Sequence, residues 1–404
     1  MEDKILNIQP VLIGADLNCY NVARAFHEAY NVKSIAFGRY EIGATKNSNI
    51  IEFNIVEKIN ESDVLVETLI KLSDKLKDKK LILMGCTDEY AELIIDNKEK
   101  LKGRYIMPYI DKELKEKLIS KDVFYGMCEK FNLPYPKTYI YSKDDNVENV
   151  NFTYPIIVKP ADSIAYWHNE FENMKKAYLV NDITEFKEVV NLIYSSGYGE
   201  NLIIQDFIPG DDSKMRVLTA YSDKNGKVKM MCLGHVLLEE HTPKGIGNHA
   251  AIITEFNERI MLKFKDFLES INYVGFSNFD IKYDERDNEY KVFEINLRQG
   301  RSNYYVTGSK NNIAECIVND YVLNKEMPLK LCKDEYFWRV IPDNVVYKFV
   351  KDEELVKKAK KLVKENKCSS SFKYEKDLKG NLKRRIYIKL FDINQMRKFN
   401  KYCK

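Results

Sequence analysis

The sequence lacks the marks of several protein classes. None of its eight cysteines forms a CxxC pair and none of its five histidines lies in an HExxH motif, so neither a disulfide framework nor a common zinc site is indicated. No apolar run approaches the roughly 18 residues that span a bilayer, and the first ten residues contain no hydrophobic signal core. The net charge of only +3 argues against nucleic acid as a partner. We therefore expect a soluble cytoplasmic protein.

Two common nucleotide-binding fingerprints are also missing. No GxxxxGK[ST] sequence occurs, which argues against a P-loop ATPase or kinase. Only Gly14 follows the first apolar run, where a GxGxxG fingerprint needs three glycines. The apolar runs that end at Gly14 and Gly85 each precede a segment with helical spacing of apolar residues. This repetition predicts an open α/β domain over residues 1–115, whose strand ends form one wall of a cleft.

The remaining 289 of the 404 residues are predicted to form two further parts. A proline-punctuated segment at 132–139 leads into apolar strands joined by short polar turns, with helices between some of them. This pattern predicts an α+β domain with a mostly antiparallel sheet over residues 116–330. Residues 331–404 form a basic C-terminal extension, since the chain from Val345 onward contains 19 Lys or Arg and only seven Asp or Glu.

The segment with the clearest chemistry is a predicted hairpin around the polar turn DERDNE. Asp280 and Glu294 each lie seven residues from Asp287, so they oppose one another in an antiparallel pair centred there. Glu294 and Asn296 share a face because side chains alternate along a strand. Two carboxylates and an amide are hard oxygen donors that suit Mg²⁺. A solvated hairpin is the alternative, but it leaves unexplained why the acids lie inside strongly apolar runs.

Two lysines and a turn extend this site. Lys159 ends an apolar strand, and Lys121 lies upstream of the proline-rich segment. Such lysines are often merely solvated, but two of them beside a Mg²⁺ hairpin would clamp a triphosphate. The segment 205–212, QDFIPGDD, could present backbone groups to an adenine edge, and its Asp212 could accept hydrogen bonds from ribose hydroxyls. Taken alone, the segment is only a turn. The Gly-containing segment 241–249 is a candidate lid, whose histidines are either polar loop residues or a base for the amine.

These motifs resemble a known family. The order of Lys121, IIVKP, QDFIPGDD, NFD and EINLR is similar to that of the ATP-grasp carboxylate–amine ligases. More closely, GADLNCYNVARAFHEAY, LPYPKTYI, QDFIPGDDSKMRVL, GFSNFDIKYDERDNEYKVFEINLRQGRS and the FKYEKD of the tail look like the bacterial D-aspartate ligase family, which builds the side-chain crossbridge of peptidoglycan. The resemblance covers nearly the whole chain.

The resemblance implies ATP and two Mg²⁺ ions as cofactors and assigns a role to individual residues. Arg298 faces the γ-phosphate and the acyl phosphate, and Lys159 and Arg216 join it as catalytic residues. By the same resemblance, Lys121 and Lys159 contact the phosphates of the nucleotide. Gln205, Asp206 and Ile208 frame its adenine, and Asp212 contacts its ribose. The metal ligands are Asp280, Glu294 and Asn296. One departure is the loop 161–176, which lacks the glycines that commonly cover the phosphates. Ser163, Lys175 and Lys176 are the residues that could compensate.

The implied reaction joins a carboxylate to an amine. ATP converts the β-carboxylate of D-aspartate into an acyl phosphate, which the lysine ε-amine of a UDP-muramyl pentapeptide then attacks. Arg216, Arg298 and Arg301 are candidates for binding the carboxylate that does not react, because arginine's fork suits a carboxylate. An ATP-grasp ligase for another amino acid and another acceptor is the main alternative. A non-catalytic nucleotide-binding regulator is a second, against which the three intact metal ligands argue.

The basic extension has two interpretations. Its surplus of 12 positive charges could meet the diphosphate of the nucleotide-linked precursor or an anionic membrane surface. Alternatively, it is structural, with a solvated amphipathic helix around Leu355–Val363 and a small sheet packed on the ATP-binding domain.

Overall fold

The computed structural model of the chain describes residues 6–162, 165–166, 168–172, 174–242 and 245–403. These residues form two compact units, and each unit is discontinuous in sequence. The first unit comprises Met1–Lys115, Asp211–Asp280 and Ile295–Lys404, and the second comprises Glu116–Gly210 and Ile281–Glu294. The extension after residue 330 thus belongs to the same compact unit as the N-terminal segment, while the division of the chain at residues 115 and 330 stays a prediction.

The first unit begins with a parallel sheet in the order β3-β2-β1-β4-β5. Its strands are β1 (Ile8–Ile13), β2 (Ser34–Gly38), β3 (Ile51–Ile55), β4 (Lys80–Gly85) and β5 (Tyr105–Ile106). The helices of this region are α1 (Leu17–Tyr30), α2 (Ser62–Lys75), α3 (Asp88–Asp96), α4 (Lys98–Leu101) and α5 (Lys112–Ile119). All six residues of β1 are buried, as expected for a central parallel strand. The predicted repetition of strand, turn and helix is therefore present.

The second unit contains an antiparallel sheet in the order β6-β9-β7-β8. Its elements are α6 (Lys121–Lys130), β6 (Thr138–Tyr141), β7 (Ile156–Pro160), β8 (Tyr178–Val180), α7 (Ile183–Ser195) and β9 (Leu202–Asp206). Val158, Phe186 and Ile204 are fully buried in the core that α7 forms with the sheet. In the pairing of β7 with β9, Lys159 lies opposite Ile203 and Ile157 opposite Gln205.

A larger mixed sheet follows, in the order β14-β13-β10-β11-β12-β16-β17, with β15 beside β11. Its strands are β10 (Met215–Ser222), β11 (Val228–Glu239), β12 (His249–Glu255), β13 (Gly275–Asp284), β14 (Glu289–Asn296), β15 (Lys330–Leu331), β16 (Phe337–Arg339) and β17 (Cys368–Ser370), and α8 is Glu258–Ser270. The pairs from β10 to β16 are antiparallel, as predicted, whereas β15 and β17 pair in parallel. β12 starts at His249, the end of the predicted lid, of which residues 243–244 lie outside the described part of the chain.

The C-terminal part of the first unit is mostly helical. Its helices are α9 (Tyr304–Gly308), α10 (Ile313–Ile317), a π-helical turn at Val318–Val322, α11 (Asp343–Phe349), α12 (Glu353–Lys364), α13 (Glu375–Leu378) and α14 (Leu382–Tyr402). Sequence patterns located α12 and missed the 21-residue α14. Within the described residues, no helix is both long and apolar enough to cross a membrane.

A buried ion pair holds this C-terminal part to the N-terminal segment of the same unit. Arg384 and Asp377 are both fully buried, and the Arg384 Nε donates to Asp377 Oδ2 at 3.1 Å. The guanidinium also donates to the carbonyls of Gly43, Ala44 and Lys46. Burying such a charge is costly unless it is paired and hydrogen-bonded, and here the guanidinium makes four hydrogen bonds, one of them to a carboxylate. Arg384 is thus a structural residue of the basic extension and not part of its charged surface.

Candidate functional site

The charges of Lys121 and Lys176 act on Lys159 inside the second unit. Lys159 is partly buried at the end of β7, where its neighbours fix its position. Burial, the nearby charge of Lys121 and that of Lys176 lower the pKa of Lys159 to about 7, against the opposing effect of Glu294. Lys121, at the start of α6, lies 4.0 Å from Glu294 (Nζ to Oε2). Lys121 and Lys159 next to the single carboxylate of Glu294, with Lys176 near Lys159, make a site that suits a polyanion.

Gln205 ties Lys159 to the sheet. The Lys159 Nζ donates to Gln205 Oε1 at 3.1 Å, and the amide nitrogen of Gln205 donates to the hydroxyls of Tyr125 and Thr138, each at 2.9 Å. Tyr125 in turn donates to the carbonyl of Phe293 on β14. Gln205 is 2% exposed, so the whole arrangement is rigid. Gln205 therefore contacts Lys159, the predicted phosphate-binding lysine, and its predicted contact with adenine stays an implication of the resemblance.

The other predicted adenine contacts differ in their surroundings. Asp206 accepts from the Arg286 guanidinium at 2.6 Å, and Arg286 also bonds Asp284. These bonds from Arg286 and Lys291 hold the pKa of Asp284 far below its usual range. Ile208 is 3% exposed. A buried apolar side chain fits an adenine wall, whereas Asp206 is occupied by an ion pair at the edge of the unit.

Two of the three predicted metal ligands contact one another in the first unit. The Asn296 Nδ2 donates to Asp280 Oδ2 and to the Asn278 carbonyl, both at 3.2 Å. Glu294 precedes Asn296 by two positions on β14 and so faces the same side of that strand. In the described part of the chain, no group of three or more His, Cys, Asp or Glu side chains could hold a metal. Mg²⁺ commonly takes one or two carboxylates and completes its shell with water and phosphate, and the oxygen donors of Asp280, Glu294 and Asn296 are of the kind this ion takes. Their role as metal ligands stays a prediction.

Arg298 lies beside these ligands, at the end of the segment that follows β14. Its Nη2 donates to Asp88 Oδ2 at 2.8 Å. Asp88, Asp16 and Asp280 are close enough to raise the pKa of Arg298, although burial opposes this. The Nε of Arg298 is buried and has no hydrogen-bond partner among the residues that the structure describes. A buried N–H of this kind is costly unless a ligand satisfies it.

Arg301 and Asp16 complete this polar cluster in the first unit. The Nη2 of Arg301 donates to Glu240 Oε1 at 3.2 Å, while its buried Nη1 likewise lacks a partner within the described ranges. Asp16 follows Gly14, whose φ of +139° requires glycine, and accepts from the Cys19 N–H to cap α1. Burial raises the pKa of Asp16, although Arg301 and Arg298 act in the opposite direction. The arrangement can bind a carboxylate through the arginines and an ammonium through Asp16.

Sequence reasoning missed how this cluster is held in place. Gln299 donates to Asn18 Oδ1 and to the Gly85 carbonyl, and Asn303 donates to the same Asn18 oxygen. Asn18 returns hydrogen bonds to the carbonyls of Cys86 and Gln299. A clue was available in the sequence, because the amides lie in the two motifs GADLN and RQGRSN, but only the fold shows that these motifs meet.

Arg216, like Arg298 and Arg301, donates to a carboxylate of the protein. It is 7% exposed; its Nε donates to Glu255 Oε2 at 2.8 Å, and its Nη1 donates to the carbonyls of Ser213 and Met215. Glu255 also contacts His235 (Nδ1 to Oε2, 3.3 Å). Burial favours the neutral acid, but His235 and Arg216 together lower the pKa of Glu255 to about 2. Arg216 thus already holds a carboxylate of the protein itself.

Asp212, the predicted ribose contact, belongs to the first unit, whereas Gln205, Asp206 and Ile208 belong to the second. It accepts from the Glu239 N–H at 2.9 Å and contacts His241 Nε2 at 2.8 Å.

The histidine at the end of the predicted lid is neutral at physiological pH, because burial and then Arg301 lower the pKa of His249 to about 4. In the loop 161–176, Lys176 acts on Lys159 as described above, while Ser163 lies outside the described residues.

Comparison with known proteins gives one strong sequence match. The chain is 41% identical over 406 aligned residues to the D-aspartate ligase of Enterococcus faecium (strain Aus0004), covering 97% of this chain and 96% of that protein. No family model matches the chain.

Solved structures show the fold. The crystal structure of the L-amino acid ligase from Bacillus licheniformis matches with a TM-score of 0.55 at 14% identity, over 78% of this chain and 74% of that one. An ADP complex of N5-carboxyaminoimidazole ribonucleotide synthetase matches with a TM-score of 0.58 at 12% identity, over 89% and 86%. Both likenesses support the expected ATP-grasp-like fold.

Proposed function

Because this chain belongs to the D-aspartate ligase family and is an ATP-dependent carboxylate–amine ligase, we propose that it activates the β-carboxylate of D-aspartate and joins it to the lysine ε-amine of a UDP-muramyl pentapeptide. The observation that carries the choice of amino acid is the high identity along nearly the full length of the relative. The cluster of Arg298, Arg301 and Asp16 supports it independently, since aspartate needs a cation for its second carboxylate and an anion for its ammonium.

ATP binds through the second unit's lysines in this proposal. Lys121 and Lys159 contact the phosphates, and a polyanion there relieves the repulsion that lowers the pKa of Lys159. Gln205 and Ile208 frame the adenine together with the backbone near Asp206, and Asp212 reaches the ribose. Lys176 substitutes for the missing glycine-rich cover.

Two Mg²⁺ ions are held by Asp280, Glu294 and Asn296 together with the phosphates. When bound, the ions neutralise charge on the transferring phosphoryl group. Arg298 borders these ligands through Asp280, so its guanidinium stabilises the γ-phosphate and then the acyl phosphate. Most of the catalysis is positioning and charge stabilisation, since the acyl phosphate is itself reactive toward an amine. Water must be kept away from that intermediate.

Aspartate is recognised by charge at fixed points. Arg301, with Arg298, binds the carboxylate that does not react, and Asp16 binds the ammonium. The L-isomer cannot reach both points with the β-carboxylate in line for phosphorylation, and an unpaired polar group commonly costs several kcal/mol. Arg216 acts by holding Glu255, and through it His235, in place. If Arg216 is instead to bind the substrate directly, it has to release Glu255.

The partners in this proposal are the amino acid and the nucleotide-linked muropeptide, and nucleic acid is not among them. The reaction takes place in the cytoplasm, and the basic extension contacts anionic membrane. The deciding experiment measures ADP release across D- and L-amino acids, with and without UDP-muramyl pentapeptide, followed by mass spectrometry of the product. We expect release with D-aspartate and acceptor, and a product heavier by one aspartyl residue. Better use of L-aspartate, glycine or alanine would refute the choice of substrate and leave the ligase assignment standing.

A further inference from the structure

The last helix of the chain, α14, exposes aliphatic side chains to solvent on one face. Leu382 is 70% exposed, Ile386 49%, Leu390 61% and Ile393 42%. Their spacing of four, four and three residues places them in one row along the helix. The opposite face, with Arg384, Ile388, Gln395 and Phe399, is buried in the first unit. We call the exposed row the α14 stripe.

Basic residues border the α14 stripe on both sides. At 100° per residue, Lys383 and Lys401 fall on one flank, and Arg385 and Lys389 fall on the other. All four are exposed. The single acid of α14, Asp392, is paired with Lys373 at 3.0 Å. The solvent-facing side of the helix therefore combines an apolar row with positive charge and no exposed acid.

We infer that the α14 stripe is a docking face for an anionic membrane surface, with the helix lying in the plane of the headgroups. Helices that bind this way bury an apolar face in the interface while their basic residues meet anionic lipid. The charges decide between the possible occupants. A second copy of the chain packed through the same stripe would bring two basic flanks together, whereas anionic headgroups pair with them. The inference does not depend on which amino acid the ligase uses.

The test is co-sedimentation of the full-length protein with phosphatidylcholine vesicles that contain or lack phosphatidylglycerol. We expect binding to the anionic vesicles only, weakened by salt because the flanks contribute through screened charges. Leu390→Glu should lower the bound-to-free ratio roughly tenfold or more, since it removes an exposed aliphatic group that inserts into the membrane interface and adds a charge that anionic lipid repels. Ile55→Glu, at a comparably exposed site (65%) in β3 of the same unit, is the matched control and should bind like the wild type.

A double Lys383→Gln/Lys389→Gln variant tests the flanks separately and should lose a large part of the salt-sensitive binding. Circular dichroism and ADP release with soluble substrates should be unchanged in every variant. Equal binding to neutral and anionic vesicles, or undiminished binding by Leu390→Glu, would overturn the inference. So would sedimentation velocity showing that Leu390→Glu turns a dimer into a monomer, because the stripe would then belong to a second copy.

Discussion

The lysine cluster of the second unit predicts that ATP binding takes up a proton. The pKa of Lys159 is lowered to about 7 by burial and by Lys121 and Lys176, so the free protein carries a largely neutral Lys159 above that pH. Phosphates beside the amine favour its charged form and raise this pKa again. The sign of the effect follows: ATP affinity is highest below pH 7 and falls as the pH rises.

The magnitude can be worked out from the same value. At pH 8 only about one amine in ten is protonated in the free protein, so the affinity falls about tenfold from its low-pH limit, and at pH 9 about a hundredfold. The uptake should approach about 0.9 proton per ATP at pH 8 and about 0.5 at pH 7. Both figures hold as long as the pKa in the complex stays well above 9.

Isothermal titration calorimetry with a non-hydrolysable ATP analogue and saturating Mg²⁺ measures both quantities, in pairs of buffers with different ionisation enthalpies. Lys159→Met should weaken binding and remove the uptake and the pH dependence together, and it should raise the KM for ATP more than that for the amino acid. Lys187→Met is the matched control, since Lys187 is paired with Glu148 on the surface of the same unit. A pH-independent affinity between pH 7 and 9, or proton release, would refute the reasoning.

Three further predictions test other parts of the structure. Asp280→Asn and Glu294→Gln should each lower kcat by roughly two orders of magnitude or more with an unchanged circular dichroism spectrum, because each removes a charge that we propose holds Mg²⁺; near-normal turnover in both would contradict the metal site. Asp16→Asn keeps a good N-cap for α1 and should raise the KM for aspartate but not the KM for ATP. The control is Asp352→Asn at the N-cap of α12, which should leave both KM values unchanged. Equal KM changes for both substrates in Asp16→Asn would mean that Asp16 does not bind the ammonium. Arg384→Met should lower the free energy of unfolding in urea by about 3–5 kcal/mol because it leaves the buried charge of Asp377 without its cation, and Lys383→Met should lower it by less than about 0.5 kcal/mol; a small effect of Arg384→Met would contradict its structural role.

Local patterns in the sequence were enough for much of the fold. The helical spacing after Gly14 predicted α1, and the apolar runs around the DERDNE turn predicted β13 and β14, because periodicity reports which face of an element is buried. The resemblance to ATP-grasp ligases led to the family that the comparison confirms. The individual roles of Lys121, Lys159, Gln205 and the metal ligands remain predictions, to which the structure adds the contacts these residues make.

Other features depended on residues that are far apart in the sequence. β12 was missed because strands buried within a large sheet are identified by their neighbours as much as by their own pattern. The meeting of Asp16 with Arg298 and Arg301 joins segments more than 280 residues apart, and no local rule brings them together.

The basic extension shows the same division between sequence and structure. Its composition by itself determined that the C-terminal part of the chain carries excess positive charge, because a count of residues needs no fold. Composition could not separate Arg384, which is fully buried against Asp377, from Lys383 and Arg385, which are exposed on either side of it. Only tertiary packing decided which face of α14 is turned inward, since burial of a side chain depends on what the rest of the chain places against it.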